Sequence, residues 1–312
     1  MRILILLLMM LLSAGCSRNH FNVPAETFAD KVRVLGVVPI IIDSSSDIRH
    51  PQKELLLSTL AEMNRRHESQ LVRKIKSTEN FYNVTMLDVD PQQFFSQAFF
   101  RREKRNDATI EYNKYFWKSG PLSDYMRRNR LDAIMTVVIS GISRSDKISS
   151  TAMLSSLTSE YNFLIMTAQI LDADGTILWE YPNFRPRLLS FDPFINLQYP
   201  DFSEAEANLL PKANVKFKSL DGIKRKLDVR SKDILRREKQ DSELYEKHFD
   251  EIVSYLKFDV DRKKIPPRRD EPRQPATEPA RPAEPAAKIP PSAPATNVAP
   301  VDGKATSSGQ IY

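Results

Sequence analysis

The sequence predicts an α/β (α+β) domain, a mixed β-sheet flanked by helices, followed by a disordered Pro/Ala-rich C-terminal tail. Three observations predict it. Two dense aliphatic runs, VRVLGVVPIII at residues 32–42 and LDAIMTVVISGI at residues 131–142, have the length and β-branched content of buried strands. Between them lie segments whose apolar residues recur every three or four positions, the spacing of a helix that buries one face. From residue 266 to residue 300 the composition shifts to Pro, Ala, Glu, Arg and Lys without one aromatic. Such a stretch buries too little apolar surface to offset its ordering entropy.

The elements follow in order. Residues 32–42 read as a strand, with Pro39 at a bulge, end or edge because it lacks a ladder donor. Residues 51–77 read as a helix: Pro51 suits a first turn, and Leu56, Leu60, Met63, His67, Leu71 and Ile75 share one face. Residues 82–89 form a second strand and residues 91–105 a second helix, with Phe94, Phe95, Phe99 and Phe100 apolar. Residues 121–130 form a third helix, with Leu122, Tyr125 and Met126 inward, before the strand at 131–142. Residues 161–172 and 176–181 form a hairpin that places Leu164, Met166, Ala168 and Ile170 on one face. The pattern weakens into an irregular insertion at about 182–230, and residues 232–256 read as a returning helix.

The N-terminus carries the most specific signal. Arg2 precedes an apolar stretch over residues 3–12, and Leu12-Ser13-Ala14-Gly15-Cys16 follows. The stretch is too short for a spanning helix, which needs about 20 residues, and has the length of a secretory apolar region. The segment resembles a bacterial lipoprotein signal peptide with its lipobox. That resemblance implies cleavage between Gly15 and Cys16 and lipidation of the Cys16 thiol. Residue 17 is Ser rather than the aspartate that retains Gram-negative lipoproteins at the inner membrane, so the resemblance implies the outer membrane. The expected layout is a signal peptide at 1–15, a lipidated linker at 16–30, a periplasmic domain at 31–259 and the tail at 260–312.

Cys16 is the only cysteine. Once lipidated, it leaves the domain with no thiol for a disulfide, a metal or a nucleophile. The formal net charge of +6 favours contact with anionic lipid or other acidic envelope polymers. Export argues against nucleic acid as a partner.

Two phrases extend the resemblance to the domain. Residues 131–141 resemble the strand of certain envelope lipoproteins that opens on Asp and closes on Gly, and residues 170–179 resemble their Asp-Ala, Gly, Trp hairpin. The families are the amino-terminal domain of the Tol translocation β-propeller protein, the curli-secretion lipoprotein and the lipoprotein activators of peptidoglycan synthases. The resemblance implies a small α/β sandwich, and fold of this kind does not by itself fix function.

No constellation points to a reaction or a cofactor. His20, His50, His67 and His248 are scattered, without metal-ligand spacing. Asp172-Ala173-Asp174-Gly175 opens like a calcium loop but lacks the glutamate at position twelve, so it reads as a turn. Asp88 and Asp90 are paired carboxylates at a strand end, and they carry an alternative reading as a hydrolase site. The eight glycines form no phosphate loop, and no Gly-x-Ser-x-Gly elbow occurs. The expectation is a non-enzymatic, membrane-anchored protein that binds an envelope partner. Its candidate surfaces are the aromatic set Tyr112, Tyr115, Phe116 and Trp117, and the loop at 43–50. A second alternative is a structural tether that acts through the Pro-rich tail, which would extend by at most roughly 3.1 Å per residue.

Overall fold

The computed structural model describes residues 20–105, 111–149, 156–183, 192–198, 216–232 and 238–257. Cys16, Gly15 and the Pro-rich segment lie outside the described residues.

The two aliphatic runs become the centre of a mixed sheet, as the sequence predicts. The first run forms two strands, β1 (Val34–Val37) and β2 (Ile41–Asp43), rather than one. Both pair in parallel with the second run, β6 (Ala133–Ser149). Val37 pairs with Met135 and Ile41 with Val138, so one extra residue is inserted around Pro39. That bulge is where a strand tolerates a residue without a donor.

On the other side of β1 lies β3 (Asn83–Met86), also parallel, and between them runs α2 (Lys53–Ser77). The stripe read from the sequence is all buried: Leu56, Leu60, Met63, His67, Leu71 and Ile75. The strand β6 turns back into β7 (Ser156–Leu171), and their antiparallel ladder runs from Ile134↔Leu171 to Ser149↔Ser156. Strand β7 then pairs with β8 (Ile177–Tyr181) and with the short β9 (Ile195–Asn196). At the β7–β8 turn, Gly175 has φ of 80° and Asp172 Oδ1 accepts the N–H groups of Asp174 and Thr176. The Asp-Ala-Asp-Gly sequence is thus a hairpin turn whose first carboxylate is occupied by backbone.

Two corrections concern the middle of the chain. The helix predicted over 91–105 ends early: α3 is Pro91–Ala98, capped by Asp90 Oδ1 on the Gln93 N–H. Phe99 turns extended, and residues 99–105 form β4 (Phe99–Arg105), paired antiparallel with β5 (Tyr112–Trp117). Helix α4 (Ser119–Asn129) follows. The helix predicted over 232–256 likewise divides. A β10 (Arg230–Lys232) and β11 (Glu238–Ser242) pair precedes α6 (Glu243–Leu256). The predicted insertion contains β9 and a helix, α5 (Leu220–Asp228).

The layers follow from alternation along β8. Trp179 donates its Nε1–H to the Tyr255 carbonyl of α6 at 3.1 Å, whereas Glu180 pairs with Lys114 of β5 at 2.9 Å. Neighbouring side chains on a strand point to opposite faces. Helix α6 therefore covers one face, with α2 and α5 packed against it, and the β4–β5 hairpin covers the other with α3 and α4.

Asp132 and Gly141 earn their places structurally. Asp132 Oδ2 accepts the Arg33 and Val34 N–H groups at 3.2 and 2.9 Å, fixing the start of β1 beside β6. At Gly141 a Cβ would stand 2.4 Å from the Asp47 carbonyl oxygen. Only glycine lets the loop after β2 lie on β6.

The interface of α2 and α6 is unusually polar inside. His67 stacks obliquely on Tyr245 at 4.8 Å between centroids, and Tyr245 donates its hydroxyl to Asn64 Oδ1 at 2.7 Å. Burial lowers the His67 pKa, Arg66 lowers it further, and Asp228 and Asp241 oppose them. Burial also lowers the His248 pKa, against the Leu244 and Asp192 backbone and the Glu251 charge, with Lys247 adding to the fall. Below about pH 6.5 the unfolded chain protonates these histidines while the fold resists. Their contribution to stability is therefore full above that pH and is lost as pH falls below it. The urea midpoint should be lower at mildly acidic than at mildly alkaline pH, and His248→Leu should shrink the difference. Equal midpoints would contradict this.

Candidate functional site

The N-terminal segment joins the domain earlier than the sequence suggests. The predicted linker at 16–30 overlaps α1 (Ala25–Lys31), and His20 is already docked on the domain. The His20 ring stacks on Tyr255 at 4.1 Å, and its Nδ1 lies 3.1 Å from the Glu180 carbonyl. Phe21 bridges Trp179 in strand fashion, Asn22 N–H donates to the Leu178 carbonyl at 2.8 Å, and the Phe21 ring meets Phe28 edge-on at 4.9 Å. These residues extend the sheet beside β8. The signal in the sequence was the pair Phe21 and Phe28, seven positions apart and both apolar.

The aromatic candidate surface is mostly interior. Tyr112, Tyr115 and Trp117 are buried, so three of its four members are unavailable to a partner. Trp117 donates to Gln169 Oε1 at 2.8 Å and packs against Phe94 and Phe95, while Tyr112 joins Ile142, Phe163 and Ile165. Phe116 remains partly exposed, with the Arg101 guanidinium 4.2 Å above its ring. The reason is the hairpin itself. Residues on β5 alternate, and both faces find neighbours because the hairpin lies across the sheet.

Between the hairpin and the sheet is a buried charge centre that the sequence did not announce. Asp43, fully buried at the end of β2, accepts the Tyr115 hydroxyl at 2.8 Å and Arg102 Nη1 at 2.5 Å on one oxygen. Its other oxygen accepts the Ser45 hydroxyl at 2.6 Å and the Ser45 N–H at 3.1 Å. Burial raises the Tyr115 pKa well above the ordinary value and the Asp43 charge adds to it, so the phenol stays a donor. Burial works against the Arg102 charge, yet the Asp43 hydrogen bond and charge carry its pKa above the ordinary value. Every acceptor direction of Asp43 is used, which makes the centre a clamp on the hairpin rather than a reactive group.

The loop at 43–50, the other candidate surface, is pinned at several points. Ser46 Oγ accepts the Gly141 N–H at 2.8 Å, and Asn162 reaches the Asp47 carbonyl at 2.7 Å and the Arg49 N–H at 2.8 Å. Ser44, Ser45, Asp47 and Arg49 stay exposed as its outward side.

Asp88 and Asp90 do border a concavity. A cleft of about 560 Å³ opens beyond the ends of β1 and β3, walled by α2 and by the start of α3. Open parallel sheets present ligand crevices at the carboxyl ends of their strands. Asp90 already caps α3 through Gln93, and no Ser, Thr, Cys, His, Lys or Tyr is among the described residues that line the cleft. Its polar groups are Asn64, Arg65, Glu68, Asp88, Asp90 and Gln92. They offer charge, hydrogen bonding and three carboxylates, one of which, Asp90, is already engaged as a helix cap.

Comparison with known proteins adds resemblances only. No protein-family profile matches the chain, and no curated protein sequence matches it. Among solved structures, a neuraminyllactose-binding hemagglutinin homolog from Helicobacter pylori is 9% identical, with 78% of this chain and 90% of that chain covered at a TM-score of 0.28. The PelC dodecamer from Paraburkholderia phytofirmans is 8% identical, with 48% and 68% covered at a TM-score of 0.23. At these TM-scores neither likeness carries an argument.

Proposed function

We propose that the chain is a non-enzymatic lipoprotein anchored in the outer membrane through Cys16, whose periplasmic α/β domain binds another envelope protein and assists assembly, secretion or cell-wall regulation. The observation that carries this reading is the spacing between anchor and fold. His20, the first described residue, is docked on the domain and follows Cys16 by four positions. Four residues span at most roughly 14 Å. A lipid on Cys16 therefore holds the domain against the bilayer, with the β8 edge and α6 nearest the anchor.

Binding fits the domain better than catalysis does. The buried carboxylate Asp43 is fully engaged by its neighbours, and in the open cleft Glu68 and Asp90 are spent on backbone N–H groups. The test is direct. Wild-type protein should incorporate labelled palmitate and stay in the membrane fraction after a carbonate wash. The Cys16→Ser variant should do neither, and should keep the wild-type unfolding midpoint. A variant that remained in washed membranes would end the reading.

A further inference from the structure

The cleft runs along a strand edge whose hydrogen bonds are met by side chains. Among the described residues, strand β2 pairs with β6 on one side only. On its other side β3 has already diverged, its last ladder contact being Leu87 N–H to the Val37 carbonyl at 2.8 Å. The outward groups of β2 and of the residue before it are held instead by Glu68 Oε2, which accepts the Ile40 N–H at 3.2 Å, and by Gln92 Nε2, which donates to the Ile42 carbonyl at 3.0 Å. Two side chains from two helices thus occupy the positions that a neighbouring strand would fill. An edge covered in this way is protected against indiscriminate pairing. It is also open to exchange, because the covering groups are side chains that can swing aside.

The surroundings set the chemistry of an occupant. Glu68, Asp88 and Asp90 face one cation, Arg65, so the rim is acidic by two charges. Ile40, Ile42 and Met86 make the wall apolar. Burial raises the Glu68 pKa, with the Ile40 N–H and Arg65 pulling the other way. Asn64 also lines the cleft. It is 2% exposed, its Oδ1 is taken by Tyr245, and its Nδ2 has no partner among the described residues. An unmet buried donor costs free energy in the empty state.

We propose that this cleft takes an extended, basic segment of a partner protein, added as a strand along β2, with its cationic side chains between Glu68, Asp88 and Asp90. The proposal rests on the partner-binding reading above and gives the partner a chemistry. Strand addition supplies main-chain hydrogen bonds, and alternate side chains enter the pocket. The segment takes over the Ile40 N–H and Ile42 carbonyl, which frees the Glu68 carboxylate to meet the incoming cation.

The test uses the full-length protein in non-ionic detergent and fluorescein-labelled peptides read by anisotropy. A peptide of alternating Lys and Val should bind saturably and weaken with salt, and a Glu–Val peptide should not bind. Backbone N-methylation of the Lys–Val peptide should weaken it about tenfold. Asp88→Asn, an exposed substitution that leaves the fold intact, should weaken it by a similar factor, as should Glu68→Gln. Equal affinity for the methylated peptide, or no effect of Asp88→Asn, would overturn the proposal. Binding that appears only after residues 258–312 are removed would assign the cleft to the chain's own tail and would overturn it too. A photocrosslinker placed at Val89 in cells should trap the partner. One that traps only from Arg101, outside the cleft, would leave partner binding standing while removing the cleft from it.

Discussion

Replacing Arg102 by Met is expected to destabilise the domain by about 3–5 kcal/mol, the range for a buried ion pair stripped of one partner. Asp43 is completely buried, and Arg102 is its only cationic partner within ion-pair distance among the described residues. The remaining donors, Tyr115 and Ser45, cannot neutralise it. The loss should appear as a lower urea midpoint. It should be accompanied by loosening of the β4–β5 hairpin, visible as faster amide exchange at Tyr115 and Trp117. The companion variant Asp43→Asn/Arg102→Met decides the cause. If the cost is an unpaired buried charge, the double variant recovers most of the stability. If it matches the single variant, Arg102 acts by packing its stem and the charge argument fails.

Asp43 also shows where sequence reading stops. In the chain it opens Asp43-Ser44-Ser45-Ser46, which has the composition of a loop, and the residues after it do form one. What makes Asp43 interior is a partner 59 positions away, on a segment read as helix. The phrase FFRREKR at 99–105 is ambiguous locally: its aromatic pair continues the α3 pattern, and its charges suit either state. Pairing with β5 decides it, because the hairpin buries Tyr115 and Trp117 against the sheet and so outweighs local preference. The same pairing removes the aromatic set from the surface. Aromatics in a strand of this length, at both parities, signal burial on two faces rather than an exposed patch.

Where periodicity and burial coincide, the sequence was legible. The α2 stripe, the alternation of Leu164, Met166, Ala168 and Ile170, and the β7–β8 turn all rest on spacing within one element, and each is seen. Pro39 was readable because a missing donor constrains position by itself. The cleft was half legible. Asp88 and Asp90 stood out as paired carboxylates, but the edge they flank depends on Glu68 and Gln92, which reach β2 from two different helices. No spacing in the chain encodes that meeting.

The second large effect lies at Trp179. This side chain is fully buried and holds together the β8 edge, the N-terminal segment and α6: it bridges Phe21, stacks near His20, and donates to the Tyr255 carbonyl. Trp179→Ala should cost about 3–5 kcal/mol, through lost burial and the cavity left behind. Trp179→Phe keeps most of the apolar contact but removes the Nε1–H and its bond to the part-buried Tyr255 carbonyl, and should cost about 1–3 kcal/mol. The consequence for placement is separable from stability. With the edge released, residues 20–31 no longer dock, and the tether from Cys16 lengthens from four residues to about fifteen, adding roughly 35 Å of reach. A protease site engineered at residue 24 should be cut slowly in the wild-type protein and rapidly in Trp179→Phe, under conditions where α2 amides remain protected. Equal cutting rates would show that the N-terminal segment holds without Trp179, and the short-tether account of the anchor would then lose its structural basis.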